Sequence, residues 1–181
     1  MSRSPVYLPP EELEKECRFE RLRRSGPGGQ NRNKVETAVR FYHQPSGLVG
    51  EASERRYQGE NRKIALERLR LEIALSIRDV PILEKDEQGV AKLPQDFLKR
   101  ARWFARLQGD KIRVATTNFD YAVLIAEFFD VYVATNENLA ITAELLQTTP
   151  SQIVKLLAET PKTLEQLNAM RAKQGLGRLK G

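Results

Sequence analysis

The residues best suited to chemistry lie in one run: Arg23-Arg24-Ser25-Gly26-Pro27-Gly28-Gly29-Gln30-Asn31-Arg32-Asn33-Lys34. Gly28 and Gly29 lack a Cβ, so their backbone reaches positive φ and can approach another molecule closely. Pro27 restricts the chain just before them. Gln30 brings an amide that donates and accepts, a backbone N–H, and nothing that titrates. Arg23, Arg24, Arg32 and Lys34 flank this tip and can grip phosphates. A neutral, hydrogen-bonding tip between cations suits an environment rich in nucleic acid. The run fits neither G-x-x-x-x-G-K-[ST] nor a G-x-G-x-x-G that opens a helix, so those phosphate-cradling loops are excluded. It holds no Ser–His pair and no carboxylate dyad, so no protein general base is implied. By itself the triplet also reads as a plain Gly-Gly turn between strands; the residues around it decide.

Ser25-Gly26-Pro27-Gly28-Gly29-Gln30, then Asn33-Lys34, then Ala38-Val39-Arg40, resembles the catalytic domain of class I peptide chain release factors. The similarity continues through His43, Pro45-Ser46-Gly47 and Leu48-Val49, where that family has a His-x-Pro-Thr-Gly-Ile-Val turn. Glu54-Arg55-Arg56-Tyr57-Gln58 resembles the family's Glu-Arg-Ser-Gln with one residue extra, and Asn61-Arg62 with a helix carrying Ala65 and Leu69 completes the match. In all it covers about residues 17–77. The resemblance implies entry into the ribosomal A site and insertion of the Gly-Gly-Gln loop into the peptidyl transferase centre. There water attacks the ester joining the nascent peptide to the P-site tRNA. A backbone N–H at Gln30 would donate to the charge developing on an oxygen, and such a preorganised donor is worth roughly 3 kcal/mol. The Gln30 side chain would shape the pocket to admit water rather than a larger nucleophile, while ribosome and tRNA supply much of the catalysis.

Gly28, Gly29 and Gln30 are thus the expected catalytic residues. Arg23, Arg24, Ser25, Arg32, Asn33, Lys34, Arg40, Arg55, Arg56, Gln58, Asn61 and Arg62 are the expected contacts to rRNA or tRNA. The expected partners are the ribosome, through large-subunit rRNA, and the P-site peptidyl-tRNA, bound by a monomer with no cofactor and no metal. The chain departs from the family at Asn31-Arg32, where His and a small apolar residue are usual, and at Tyr57-Gln58 after a doubled Arg. Neither departure removes the triplet.

Composition agrees with a polyanion partner. The 181 residues carry 30 Lys+Arg against 24 Asp+Glu, a net charge of +6, and residues 18–70 alone hold 13 of those cations against 6 acids. Residues 76–147 are acidic on balance, and 148–181 are basic again. Concentrated positive charge is the footprint of a polyanion binder. With 40% hydrophobic residues there is material for a core, which excludes wholesale disorder. No apolar run approaches 18 residues, and Met1–Pro10 has no stretch of signal-peptide length. One Cys and one His build neither a disulfide nor the usual zinc site. A cytoplasmic location with no membrane partner is the expectation.

The elements that must hold the loop follow from periodicity. Residues 17–24 read as a basic strand, 37–42 and 48–52 as a hairpin around Gln44-Pro45-Ser46-Gly47, and 61–77 as an amphipathic helix with Ala65, Leu69 and Ile73 in register. Residues 79–94, with two prolines and a glycine among acids, read as a linker. Beyond it the pattern is mainly helical. One helix is expected through Phe97, Ala101, Phe104 and Leu107 to Gly109, then a short strand at Ile112 and Val114, then helices over 120–129, 137–147, 151–159 and 163–173. Pro150 and Pro161 are placed as first-turn residues. The fold class is therefore α+β: a small antiparallel sheet with a Gly-Gly-Gln loop and a packed helix over 1–90, then a mainly helical domain over 94–181 with a basic tail.

A factor that decodes stop codons carries large domains around this module, including a Pro-x-Thr or Ser-Pro-Phe reading loop. Only 24 residues precede Ser25, and neither motif is among them, so codon-independent rescue of stalled ribosomes is expected. Ala143, Leu146, Gln147, Ile153 and Leu156 fall at helix-turn-helix spacing around Thr148-Thr149-Pro150, with Gln147 at the usual glycine position. The second of those helices offers Lys155 as its one cation, so structural packing or protein/RNA docking is favoured over DNA binding. Arg171, Lys173, Arg178 and Lys180 lie in a tail read as a flexible end, either a solvated terminus or, as the resemblance to short rescue factors implies, an rRNA-binding sensor of an empty mRNA channel. Cys17 is expected to pack as a small hydrophobe, His43 to be structural, and Trp103, Phe104, Phe128 and Phe129 to form the second core. The rival readings are a non-catalytic ribosome- or rRNA-binding factor with a repurposed loop, and a helix-turn-helix regulator.

Overall fold

Alternation over Ala38–His43 produces a strand, β2, that hides Val39, Phe41 and His43 and leaves Arg40 and Tyr42 half-exposed. In the computed structural model, which describes residues 4–22 and 37–181, β2 is the centre of a three-stranded antiparallel sheet. It pairs with β1 (Cys17–Leu22) and with β3 (Val49–Ala52). The register sets Phe41 opposite Phe19 and Gly50, and Arg40 opposite Glu20 and Glu51, so one face carries rings and the other carries charge. The β2–β3 turn closes on Gly47, whose φ of +73° lies in the left-handed region that glycine adopts without penalty.

Across β2 and β3 packs a helix of 19 residues, Gln58–Ser76. Asn61, Ala65, Leu69 and Ile73 recur along its buried face, the spacing that a helix turns into one stripe. Gly50 permits the close approach: a Cβ there would sit 2.1 Å from the Ala65 carbonyl oxygen and 2.5 Å from the Leu69 nitrogen. Ahead of β1 lies an arm made of a 3-10 turn (Pro5–Tyr7) and α1 (Pro10–Lys15). The long sheet-covering helix is therefore α2. Its Arg70 Nη2 donates to the Val6 carbonyl at 2.8 Å, and Val6 and Leu13 complete the core of this part.

The chain clusters into two compact units, Met1–Ser76 and Ile77–Gly181. Residues 79–94, expected as a linker, belong to the second. They form a hairpin, β4 (Glu84–Lys85) with β5 (Ala91–Lys92), closed by the Asp86 carboxylate, which accepts from the Gln88 and Val90 N–H groups. The core of the second unit is α4 (Phe119–Ala134), with Phe128 and Phe129 fully buried. Asn118 caps its N-terminus by accepting from Asp120 N at 2.9 Å.

The expected helix from Phe97 to Leu107 is interrupted. α3 (Gln95–Arg100) stops at Ala101, and a 3-10 turn (Phe104–Arg106) leads into a hairpin of β6 (Leu107–Gln108) and β7 (Lys111–Ile112). Buried Glu127 causes the break: its two carboxylate oxygens accept from the Arg102 and Trp103 N–H groups, each at 2.8 Å. Trp103 Nε1 then donates to the Leu146 carbonyl, which buries the indole, while Phe104 stays half-buried. The last helices are α5 (Leu139–Leu145), α6 (Pro150–Ala158) and α7 (Pro161–Lys173), with Pro150 and Pro161 in their first turns. Gln147 adopts φ +54° between α5 and α6, and Ala143, Leu146, Ile153 and Leu156 point inward. The tail is not a free end: Leu179 N donates to Asn168 Oδ1 and Asn168 Nδ2 donates to Leu179 O. Among the described residues no helix is long and apolar enough to cross a membrane.

Candidate functional site

Leu22 and Ala38 are register partners at one end of the β1–β2 ladder, so both roots of the segment between them lie side by side. The expected catalytic residues Gly28, Gly29 and Gln30 fall outside the described residues, as do Arg23, Arg24, Ser25, Arg32, Asn33 and Lys34. What can be built is the frame that holds the roots.

Asn61 is central to that frame. It lies in the first turn of α2, fully buried, and its amide makes three hydrogen bonds. Its Nδ2 donates to the Thr37 carbonyl at 2.7 Å and to the Arg55 carbonyl at 2.9 Å, while its Oδ1 accepts from Arg55 N at 2.9 Å. Thr37 is thus tied to the 53–57 segment and to the start of α2. Extending the Ala65, Leu69 and Ile73 register back by one step reaches Asn61, which is the sequence signal for burial; the expectation for this residue is an RNA contact instead. Glu54 steadies the same segment from outside. Its carboxylate pairs with Arg68 (Nη2 to Oε1, 2.5 Å), and Arg68 Nη1 also donates to the Glu51 carbonyl at 2.7 Å.

The expected cations divide into two sets. Arg40 is held by Glu51 on β3 (Nη2 to Oε2, 2.8 Å) and approached by Glu20 on β1 at 3.6 Å. The Glu51 hydrogen bond pushes its pKa further up. Arg62 makes a bidentate pair with Glu14 of α1 and stacks over the Phe19 ring at 5.2 Å, so its guanidinium ties the arm to the sheet. Arg55 and Arg56, by contrast, are exposed and make no ion pair among the described residues. They stand in the segment that Asn61 joins to Thr37. Gln58 completes this edge, with an Nε2 that is buried and has no hydrogen-bond partner.

His43 is structural. The imidazole is fully buried and bridges the turn to the arm, with Nδ1 2.6 Å from Ser46 Oγ and Nε2 2.9 Å from Glu16 Oε2. Cys17 donates its thiol to the Leu13 carbonyl, and burial, reinforced by Glu16 and Glu14, pushes its pKa up to about 11. A thiol held protonated in this way is a poor nucleophile. Among the described residues no group of three or more His, Cys, Asp or Glu side chains could hold a metal ion.

The sequence that builds this frame is similar to that of known proteins. The RF-1 domain matches residues 10–117, which takes in α1, the sheet, α2 and the chain through the β6–β7 hairpin. Human mitochondrial peptide chain release factor 1 is 35% identical over 122 residues, 64% of this chain and 25% of the human protein. Peptide chain release factor 1 of Chlorobaculum tepidum is 51% identical over 65 residues, 33% of this chain and 18% of that one. A mitochondrial peptide chain release factor-like protein of Saccharomyces cerevisiae is 38% identical over 82 residues, 45% of this chain and 52% of the yeast protein. The chain thus spans a quarter of the human relative's length and about half of the yeast relative's. With the family match running over more than half of its residues, the chain belongs to the RF-1 domain family.

Proposed function

We propose that this protein promotes ribosome-dependent hydrolysis of the ester linking a nascent peptide to P-site tRNA, and that it does so without reading a codon. The observation that carries the hydrolytic part is the Gly28-Gly29-Gln30 triplet in a segment whose roots, Leu22 and Ala38, sit side by side, with Thr37 fastened by Asn61 to α2. A reacting tip must be positioned to within about an ångström for its donors to count, and such a frame supplies the fixed end. The Gln30 N–H is the donor for the developing oxyanion; the Gln30 side chain selects water. Arg55 and Arg56, whose side chains make no ion pair among the described residues, are the docking cations of this edge. The codon-independent part rests on the sequence pattern alone, and the choice of A-site codon tests it.

Peptide release is measured from ribosomes with no codon, a sense codon or a stop codon in the A site. Release by the wild type with an empty A site is the expected result. Gln30→Pro deletes the N–H and is expected to lower the rate by about 10²–10³-fold, whereas Gln30→Ala keeps the N–H and lowers it less. Release untouched by both variants would refute the hydrolytic reading, and release confined to stop codons would refute the rescue assignment. Binding without release is the signature of a non-catalytic rRNA-binding factor.

A further inference from the structure

We propose that the second unit carries its own binding groove for an RNA sugar–phosphate strand, between the β6–β7 hairpin and α6. The groove has a volume of 590 Å³, with Lys111, Arg113, Gln152, Lys155 and Glu159 on its walls and Leu156 among its lining residues. In extended backbone residues two apart share a face, so exposed Lys111 and Arg113 project together while Ile112 is half-buried. The spacing of Gln152 and Lys155 on α6 and of Glu159, its C-cap, keeps all three on one side of the helix. The two walls are joined: Thr148 Oγ1, in the α5–α6 turn, donates to the Asp110 carbonyl of the hairpin at 2.5 Å. This tie makes the groove preformed rather than assembled on binding.

Charge identifies the occupant. Arg78, Arg100 and Arg106 of this unit are each paired with an aspartate, namely Asp130, Asp79 and Asp120. Lys111, Arg113 and Lys155 make no ion pair among the described residues, yet they line one groove. These three cations, set against the one carboxylate of Glu159, leave the groove a net positive charge that complements a run of phosphates. RNA is favoured over DNA by the remaining wall residues. Gln152 and Glu159 are acceptors for a 2′-hydroxyl, which only RNA carries. A DNA-reading helix would also need several phosphate grips and base-reading side chains, and α6 supplies Lys155 as its one cation. The choice of RNA rests further on the ribosomal site of action proposed above. The family match ends at residue 117, so α6 lies beyond it and half of the groove is outside the shared domain.

The test measures binding of the full-length chain to a short labelled RNA of mixed sequence, by anisotropy over a range of salt. No ribosome is present, so the result is independent of the peptide-release assay. In Lys111→Ala/Arg113→Ala/Lys155→Ala the slope of log affinity against log salt should shrink by about 2, and affinity at about 0.1 M salt should fall about 10- to 100-fold. Lys99→Ala/Arg102→Ala/Lys173→Ala removes equal charge from exposed cations of the same unit outside the groove and should change the slope by less than half as much. DNA of the same sequence should bind the wild type more weakly, and Gln152→Ala, which removes an acceptor without changing the charge, should narrow that gap. An unchanged slope in the groove variant, an equal loss in the control variant, or DNA bound as tightly as RNA overturns the proposal.

Discussion

Three hydrogen bonds from one buried amide make Asn61 the residue on which the loop root depends. In Asn61→Ala the Thr37 carbonyl and both backbone groups of Arg55 lose their partner, which should destabilise the first unit by about 1–3 kcal/mol. The same change should lower kcat for peptide release about 10-fold with little effect on KM, because it loosens the positioning of the tip rather than its docking. Urea unfolding and release kinetics check the two halves; a stability loss with kcat intact would make Asn61 structural only. Asp130 carries a pH prediction. It is 1% exposed, and burial pushes its carboxyl up to about 6 even though Asp79 N donates to it at 3.0 Å and Arg78 lies at 3.3 Å. A carboxyl raised in the fold favours the protonated form. Its stabilising contribution is complete below the ordinary carboxylate value and is lost as pH rises through about 6. Between about pH 4 and pH 7 the wild type should therefore lose up to about 3 kcal/mol more than Asp130→Asn, read from urea unfolding at the two pH values. Roles at this scale were partly legible. His43 before a Pro-Ser-Gly turn read as structural and is, but its bond to Glu16 joins residues far apart in sequence, where no periodicity reaches.

Elements were legible where one hydrophobic period ran without competition. β2, β3 and α2 form close to where alternation and helical spacing place them, because each has one buried face; α2 opens at Gln58 rather than at 61. β1, which has no fully buried residue, is held by its ladder to β2. The stretch after Phe97 has helical spacing too, yet Glu127 takes the N–H groups of Arg102 and Trp103 and ends the helix. That competitor sits on α4 and is invisible in a local window. Gly50 is the complementary case, a glycine inside a strand, which marks a close approach of another backbone. The backbone of α2 leaves no room for a methyl group at this position, and neither strand nor helix can yield without moving the other. Gly50→Ala should destabilise the first unit by about 3 kcal/mol, the upper part of the range for overpacking, with α2 displaced from the sheet. Thermal unfolding followed by far-UV circular dichroism measures the loss; an unchanged transition would show that the close approach is not needed.

At the scale of the molecule, net charge is a poorer guide than pairing. Residues 18–70 hold 13 cations, but within this stretch Arg40 is matched by Glu51, Arg68 by Glu54, and Arg62 by Glu14 just ahead of it. Exposed pairs of this kind add little stability, about 0–1 kcal/mol each, but a guanidinium already facing a carboxylate releases fewer counterions on meeting a phosphate. Arg55 and Arg56 have no such partner among the described residues, and Lys111, Arg113 and Lys155 repeat the situation in the second unit from positions that the sequence keeps apart. The composition therefore announced a polyanion binder without saying which cations would act. Pairing supplies that distinction, and it can be tested on ribosomes. Arg55→Ala/Arg56→Ala should raise KM for release and flatten its salt dependence by about 1–2 in log–log slope while sparing kcat. Arg40→Ala/Arg62→Ala removes the same formal charge but frees Glu51 and Glu14, and should flatten the slope by less while costing more stability. Equal slopes in the two double variants would show that bulk charge, not unpaired charge, steers the protein to its target.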